Sequence, residues 1–333
     1  MSAQSSIWQT VANRELQCVN KVVIPRTMGD NCRAKIIPPT SFKPVNDYNL
    51  SQLAFDLYMA CISGDEEAVR SILMSHPDVD VNISVKGATV LSLSLQKRQF
   101  HIFSMLMRQH ERTKKFDLNK CSKDSMNRCE PPVITACRMH FFEGVKALIN
   151  NGADIDSVDH LGHTALWVAA RQQMPDLVEY LICNGASVNK TDTYHHTPLI
   201  AAMMYRVSSG IIKMLIINGS SLEGPRHPAN TQLSPLFWSL KYKTHEILKL
   251  LITIGVSNSE IRYVRRLLHA RNDGQKFIEL LDTEARTPRT LKQICRREVR
   301  NSVSEVCQGK NFLQRMNQLQ IPTILKQYLL LRQ

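Results

Sequence analysis

Residues 162–189 read GHTALWVAARQQMPDLVEYLICNGASVN. Two short apolar runs at helical spacing, ALWVAA and LVEYLI, are separated by a polar break containing a proline. Thr164 stands where a helix start needs an acceptor for its free N–H groups, and Gly185 where the chain must turn left-handed after a helix. The stretch therefore predicts two short helices closed by a turn. Its signals recur along the chain. Asn151-Gly152, Asn184-Gly185 and Asn218-Gly219 fall 33 and 34 residues apart, and Gly255 follows after a longer gap. Each glycine is preceded by an apolar run: VKALI at 145, LVEYLI at 177, IIKMLII at 211 and ILKLLI at 247. Thr164-Ala-Leu and Thr197-Pro-Leu lie 33 apart and Ser234-Pro-Leu comes next, each pairing a capping hydroxyl with a residue that suits a first helical turn.

A period of 33 with a TPL-like start, two short helices and a closing NGA resembles the ankyrin repeat. HTPLIAAM from His196 fits the pattern, although His195 stands where it expects glycine. Weaker units are PPVITAC from Pro131, TVLSLSL from Thr89 and YMACISGDEEAVRSIL from Tyr58. About six units are expected between residues 49 and 258, with insertions around 110–127 and 224–230. One such unit cannot bury its own apolar face, so units stack into an arc whose concave side is the usual ligand surface. The fold class expected is an all-α solenoid. His163 and His196, just ahead of the TAL and TPL starts, read as supports of the turns, and Trp167, Trp238 and Cys183 as core. His160, Tyr194 and His195 are nearer the loop tips and are the candidates for contact with a protein substrate.

Near the carboxyl end stands TLKQICRREVR, residues 290–300. Leu291, Cys295 and Val299 share one helical face with Ile294, and Val303 extends it, while Lys292, Arg296, Arg297 and Arg300 occupy the opposite face. Thr290 can cap the start and Pro288 discourages helix before it. About twenty residues later comes LQIPTILKQYLLL, from Leu319 to Leu331. The first segment resembles the elongin-binding box and the second the cullin box of a SOCS box, and with the repeats ahead of them the chain resembles the ankyrin repeat and SOCS box family. That resemblance implies a solenoid followed by a three-helix SOCS box, divided as an N-terminal extension (1–48), six repeats (49–258), a helical cap or degenerate repeat (259–287) and the box (288–333). It also implies elongin C with elongin B on Leu291, Ile294, Cys295 and Val299. Cullin-5 with its RING-box subunit would meet Leu319, Ile321, Pro322 and Leu325. Tyr328 and Leu329 are left open between the cullin surface and packing on the first box helix. Gln320 occupies the place of the first proline of the cullin box, which puts cullin affinity and identity in question. The function implied is that of a non-catalytic substrate receptor of a cullin-RING ubiquitin ligase. The alternative is an ankyrin scaffold or inhibitor that binds a partner without directing ubiquitination.

Composition constrains the remaining classes. The formal charge is +13, and from residue 259 onward 15 Lys and Arg face 7 Asp and Glu. Nucleic acid is nevertheless not expected as a partner, because no stacking platform or RNA-binding signature accompanies the charge. No run of about 18 apolar residues suggests a membrane span, and the first residues, MSAQSSIWQTVANRELQC, lack the pattern of a secretory signal. A cytoplasmic setting, with the nucleus also compatible, is expected, and with it nine reduced cysteines. Cys121, Cys129, Cys137 and His140 lack the tight spacing of a zinc site, so no metal and no cofactor is expected. No nucleophile elbow, phosphate loop or HExxH occurs, so no catalytic residue is assigned.

Overall fold

The computed structural model describes residues 50–331, apart from 86, 124–127, 223–233, 243 and 271–289. Six helix pairs follow one another: α1 (Leu50–Ser63) and α2 (Glu66–Ser75), α3 (Val90–Gln96) and α4 (Phe100–Thr113), α5 (Pro132–Arg138) and α6 (Phe142–Asn150), α7 (Ala165–Arg171) and α8 (Pro175–Cys183), α9 (Pro198–Met204) and α10 (Ser209–Ile217), α11 (Pro235–Lys241) and α12 (His245–Ile254). The first helices of successive pairs pack on one another along the array. Strands β1 (Ser84–Val85) and β2 (Ala88–Thr89) form one short antiparallel hairpin, and β3 (Ser122–Lys123) and β4 (Cys129–Glu130) another. The all-α expectation holds. Helix α13 (Asn258–Ala270) follows the sixth pair; the rest of the expected cap, like the expected extension at 1–48, lies outside the described residues. Three helices end the chain: α14 (Leu291–Val306), α15 (Phe312–Gln318) and α16 (Thr323–Leu329).

The periodic residues act as the pattern requires. The hydroxyls of Thr164, Thr197 and Ser234 accept the backbone N–H of Trp167, Ile200 and Phe237 at 3.1, 3.3 and 3.3 Å. Such a cap is worth about 1 kcal/mol relative to alanine. Trp167 and Trp238 are buried, as expected for core. Cys183 is not: as the last residue of α8 it faces outward and is exposed.

Between pairs, the turns are held by aspartates. Asp159 Oδ1 accepts the N–H groups of Leu161 and His163, both at 2.9 Å, and its Oδ2 lies 3.0 Å from His163 Nδ1. Asp192 repeats the arrangement with Tyr194, His196 and the His196 ring, and His163 Nε2 lies 3.9 Å from Asp192 Oδ2, which links one turn to the next. Burial alone would raise the Asp159 carboxyl, but the His163 ring and the N–H groups of His163 and Leu161 outweigh it and hold the group at about 2. His195 adopts φ +63° at the position where Gly162 adopts +78°. A side chain in that left-handed region costs roughly 1 kcal/mol.

One expectation about thiols is overturned. Cys121 and Cys129 form a disulfide, with Cα atoms 5.4 Å apart. In the register of the second hairpin Cys129 faces Lys123, and Cys121, two residues before Lys123 on the same face, is its diagonal neighbour across the strands. Cys137 is fully buried with its sulfur 3.5 Å from the Ala165 carbonyl, and burial pushes its thiol up to about 12. No group of three or more His, Cys, Asp or Glu among the described residues is placed to hold a metal.

Replacing Asp159 by asparagine removes the charge that the turn holds, and should cost roughly 1–3 kcal/mol in urea unfolding at neutral pH. Because the folded-state pKa is depressed, this contribution is present above the ordinary carboxylate range and is lost as pH falls toward about 2. The difference between wild type and Asp159→Asn should therefore shrink progressively as unfolding is measured at lower pH.

Candidate functional site

Helix α14 begins with a reciprocal cap. Thr290 Oγ1 accepts the Gln293 N–H at 3.3 Å, and Gln293 Oε1 accepts the Thr290 N–H at 3.0 Å. This fixes the first turn on which Leu291, Ile294 and Cys295 stand. All three are exposed, Leu291 by 76% and Ile294 by 39%. Val299, expected on the same surface, is placed elsewhere. It is half-buried and packs with Val303 and Cys307 against Phe312, Met316, Leu329 and Leu330, the small core of the three terminal helices. The apolar stripe of α14 is thus divided: its first turn faces outward and its later turns hold the helices together.

The second predicted cluster is divided in a similar way. Leu319 and Ile321 pack partly buried against that core, whereas Pro322 and Leu325 are exposed. Ile324, which sequence reading did not single out, is exposed by 78% beside Leu325. Gln320 extends an exposed side chain between the inward Leu319 and Ile321. Leu329 is buried, and the Tyr328 ring lies 3.4 Å from the Arg296 guanidinium, so both residues pack toward the first helix.

The arginine face of α14 is the part turned inward. Arg300 is 5% exposed and donates to the carbonyls of Leu329 and Ile216, both at 2.8 Å, and of Ile217 at 3.2 Å. Arg296 donates to the Thr253 carbonyl at 3.1 Å. Ile216, Ile217 and Thr253 lie in the last turns of α10 and α12, where carbonyls run out of i+4 helical partners and carry partial negative charge; that of Ile216 also accepts the Gly219 N–H at 3.1 Å. Burial, reinforced by the Arg296 charge, brings Arg300 down to about 10, so it remains a cation at neutral pH. Around it, Ser304 Oγ donates to the Gly219 carbonyl at 2.8 Å, Ser187 Oγ to the Gln308 carbonyl at 2.9 Å, and Lys310 pairs with Asp156 at 2.6 Å. The Phe312 ring sits over Gly219 so closely that a Cβ there would come within 2.5 Å. The terminal helices are therefore seated against the ends of the fourth, fifth and sixth pairs, and their outward face is Leu291, Ile294 and Cys295.

These features agree with what comparison with known families finds. The family model for ankyrin repeats (3 copies) matches residues 113–192, 133–224 and 166–262, and the SOCS box model matches residues 287–330. The chain belongs to the ankyrin repeat and SOCS box family. Two helix pairs, α1 with α2 and α3 with α4, precede the matched residues and stack on the same array. A SOCS box implies binding of elongin B/C and cullin-type ligase machinery, and the two modules together mark an adaptor or substrate receptor rather than a catalytic domain. No helix among the described residues is long and apolar enough to cross a membrane.

The substrate candidates all reach solvent. His160, Tyr194 and His195 are exposed in the turns between pairs, and His163 and His196 are tied to their aspartates instead. Arg300 as the seat of the box was not visible in the sequence, because an arginine opposite an apolar stripe reads as solvated.

Arg300→Met should leave the carbonyls of Ile217 and Leu329 without their side-chain donor and that of Ile216 with only backbone N–H donors, at a cost of about 2–3 kcal/mol. Gly219→Ala should act on the same seam, since it adds a clash with Phe312 to a left-handed backbone of φ +87°. Both variants should show a lower thermal unfolding midpoint and faster proteolytic cleavage between the repeats and the box.

Proposed function

We propose that this protein is the substrate-recognition subunit of a cullin-5 type elongin–cullin–SOCS-box ubiquitin ligase, with the repeats holding the target and the box recruiting the ligase. The observation that carries the reading is the outward first turn of α14. Leu291, Ile294 and Cys295 form an apolar patch on a helix whose other face is already fixed to the repeats. Exposed apolar clusters on an otherwise seated helix are binding surfaces. Burying Leu291 in a partner pocket would contribute roughly 1.5–3 kcal/mol, enough for a hot spot in a small helical interface. The small Cys295 beside it lets the helix approach closely. Val299 supports this turn from within the box core instead of meeting elongin directly.

For cullin, Pro322, Ile324 and Leu325 are the exposed apolar residues of the second segment, and Leu319 and Ile321 anchor that segment to the box. In the assembled ligase the RING-box subunit and its conjugating enzyme do the chemistry. This chain supplies proximity, raising the effective concentration of a target lysine near the loaded enzyme. His160, Tyr194 and His195 lie on the turns that would border the target.

Leu291→Ala combined with Cys295→Phe should abolish co-purification of elongins B and C while leaving the circular dichroism of the chain unchanged. Retention of elongins at the wild-type level would overturn the assignment. Ile324→Asp with Leu325→Asp should keep elongins B and C and lose cullin-5 from the same affinity purification. Loss of both sets together would instead show that the two segments do not act separately.

A further inference from the structure

Along the first helices of the fourth to sixth pairs, one cation per unit stands at or just past the helix end: Arg171 closing α7, Arg206 two residues after α9 and Lys241 closing α11. All three are exposed. Their heads are arranged by aromatic rings. The Arg171 guanidinium lies 4.4 Å from the centre of the Tyr205 ring in the next unit, and that of Arg206 lies 5.1 Å from Tyr242 in the unit after. Lys241 Nζ lies 4.4 Å from the Trp238 ring. A cation at a helix carboxyl end is favoured by the helix dipole, but the dipole does not explain why each arginine reaches across to a ring of its neighbour.

Among the described residues, no carboxylate stands within ion-pair distance of these three cations. The acids of the neighbouring turns are engaged elsewhere: Asp159 with His163 and Arg138, Asp192 with His196, and Glu130 with Arg138. Arg138 occupies the matching place on α5 and is neutralised by that pairing. The row of open charge therefore starts at Arg171 and runs toward the box.

We propose that this staircase of Arg171, Arg206 and Lys241 binds an extended acidic segment of a protein, which makes an acidic recognition segment the substrate class of the receptor. The inference rests on the receptor reading above and specifies its ligand. Packed helices stand about 8–10 Å apart, and an extended chain advances about 3.3 Å per residue. A segment with a carboxylate at every third position meets one cation per unit. Single-stranded nucleic acid is the poorer match, because base stacking needs open aromatic faces. Here Tyr205 and Tyr242 carry the arginines, Trp238 carries Lys241, and Trp167 is stacked by His163 at 3.8 Å.

The test uses the full chain and fluorescence anisotropy with three probes: a peptide carrying aspartate at every third position among serine and glycine, its isomer with the aspartates in one block, and an oligothymidylate. The spaced peptide should bind, and should weaken as salt rises from about 50 to about 300 mM. Arg171→Glu with Arg206→Glu should lower its affinity about tenfold or more, whereas Arg171→Lys with Arg206→Lys should keep most of it. Circular dichroism should be the same for all variants. Wild-type affinity in the double glutamate variant, equal binding of the blocked isomer, or tighter binding of the oligothymidylate would each overturn the proposal. Elongin co-purification from the same preparations separates the two readings. Elongins retained with no peptide binding overturns the substrate class alone, and peptide bound without elongins overturns the receptor assignment alone.

Discussion

Everything about the carboxyl-terminal region depends on where Arg300 finds its acceptors. A guanidinium that is 5% exposed must be matched by hydrogen bonds, and three carbonyl oxygens from two separate parts of the fold provide them. The Leu329 carbonyl ties α14 to α16, while those of Ile216 and Ile217 tie it to the end of α10. One side chain thus closes the box on itself and seats it on the repeats. Its consequence for function is directional: with the arginines inward, the first-turn apolar residues of α14 have nowhere to go but outward.

The repeats reach stability by a different route. Each unit is two short helices with little core of its own, and the hydroxyl caps, the left-handed glycines and the aspartate–histidine turns are repeated supports. The His163 ring, between Asp159 and Asp192, shows how one turn is registered against the next. In the fourth to sixth units one cation also stands near the end of each first helix: Arg171 and Lys241 close α7 and α11, and Arg206 lies two residues beyond α9. Periodicity that evolved for stacking also spaces out charge.

Much of this was readable from the chain alone, because the period is written in residues whose roles are local. A threonine at a helix start or a glycine past a helix end acts within four residues, so Thr164, Thr197, Ser234 and Gly219 were identifiable without a fold. The Leu291, Ile294 and Cys295 surface was readable for the same reason. What escaped depends on distant partners. The Cys121–Cys129 bond follows from a hairpin register, and their spacing alone does not announce it. Val299 was grouped with Leu291 by helical phase, but α15 and α16 arrive on its side and cover it. Arg296 and Arg300 were placed opposite the apolar stripe, but their partners, the ends of α10 and α12, are more than forty residues away in the chain.

The acceptors used by Arg296 and Arg300 are all main-chain oxygens, which every residue type possesses. The hydrogen bonds that seat the box accordingly do not depend on which side chains Ile217 and Thr253 carry, although Gly219 must stay small beneath Phe312. Substitutions in the ligand-facing turns of the array leave these main-chain acceptors in place, so the target surface can be remodelled while the recruiting module keeps the same handle and the same tilt.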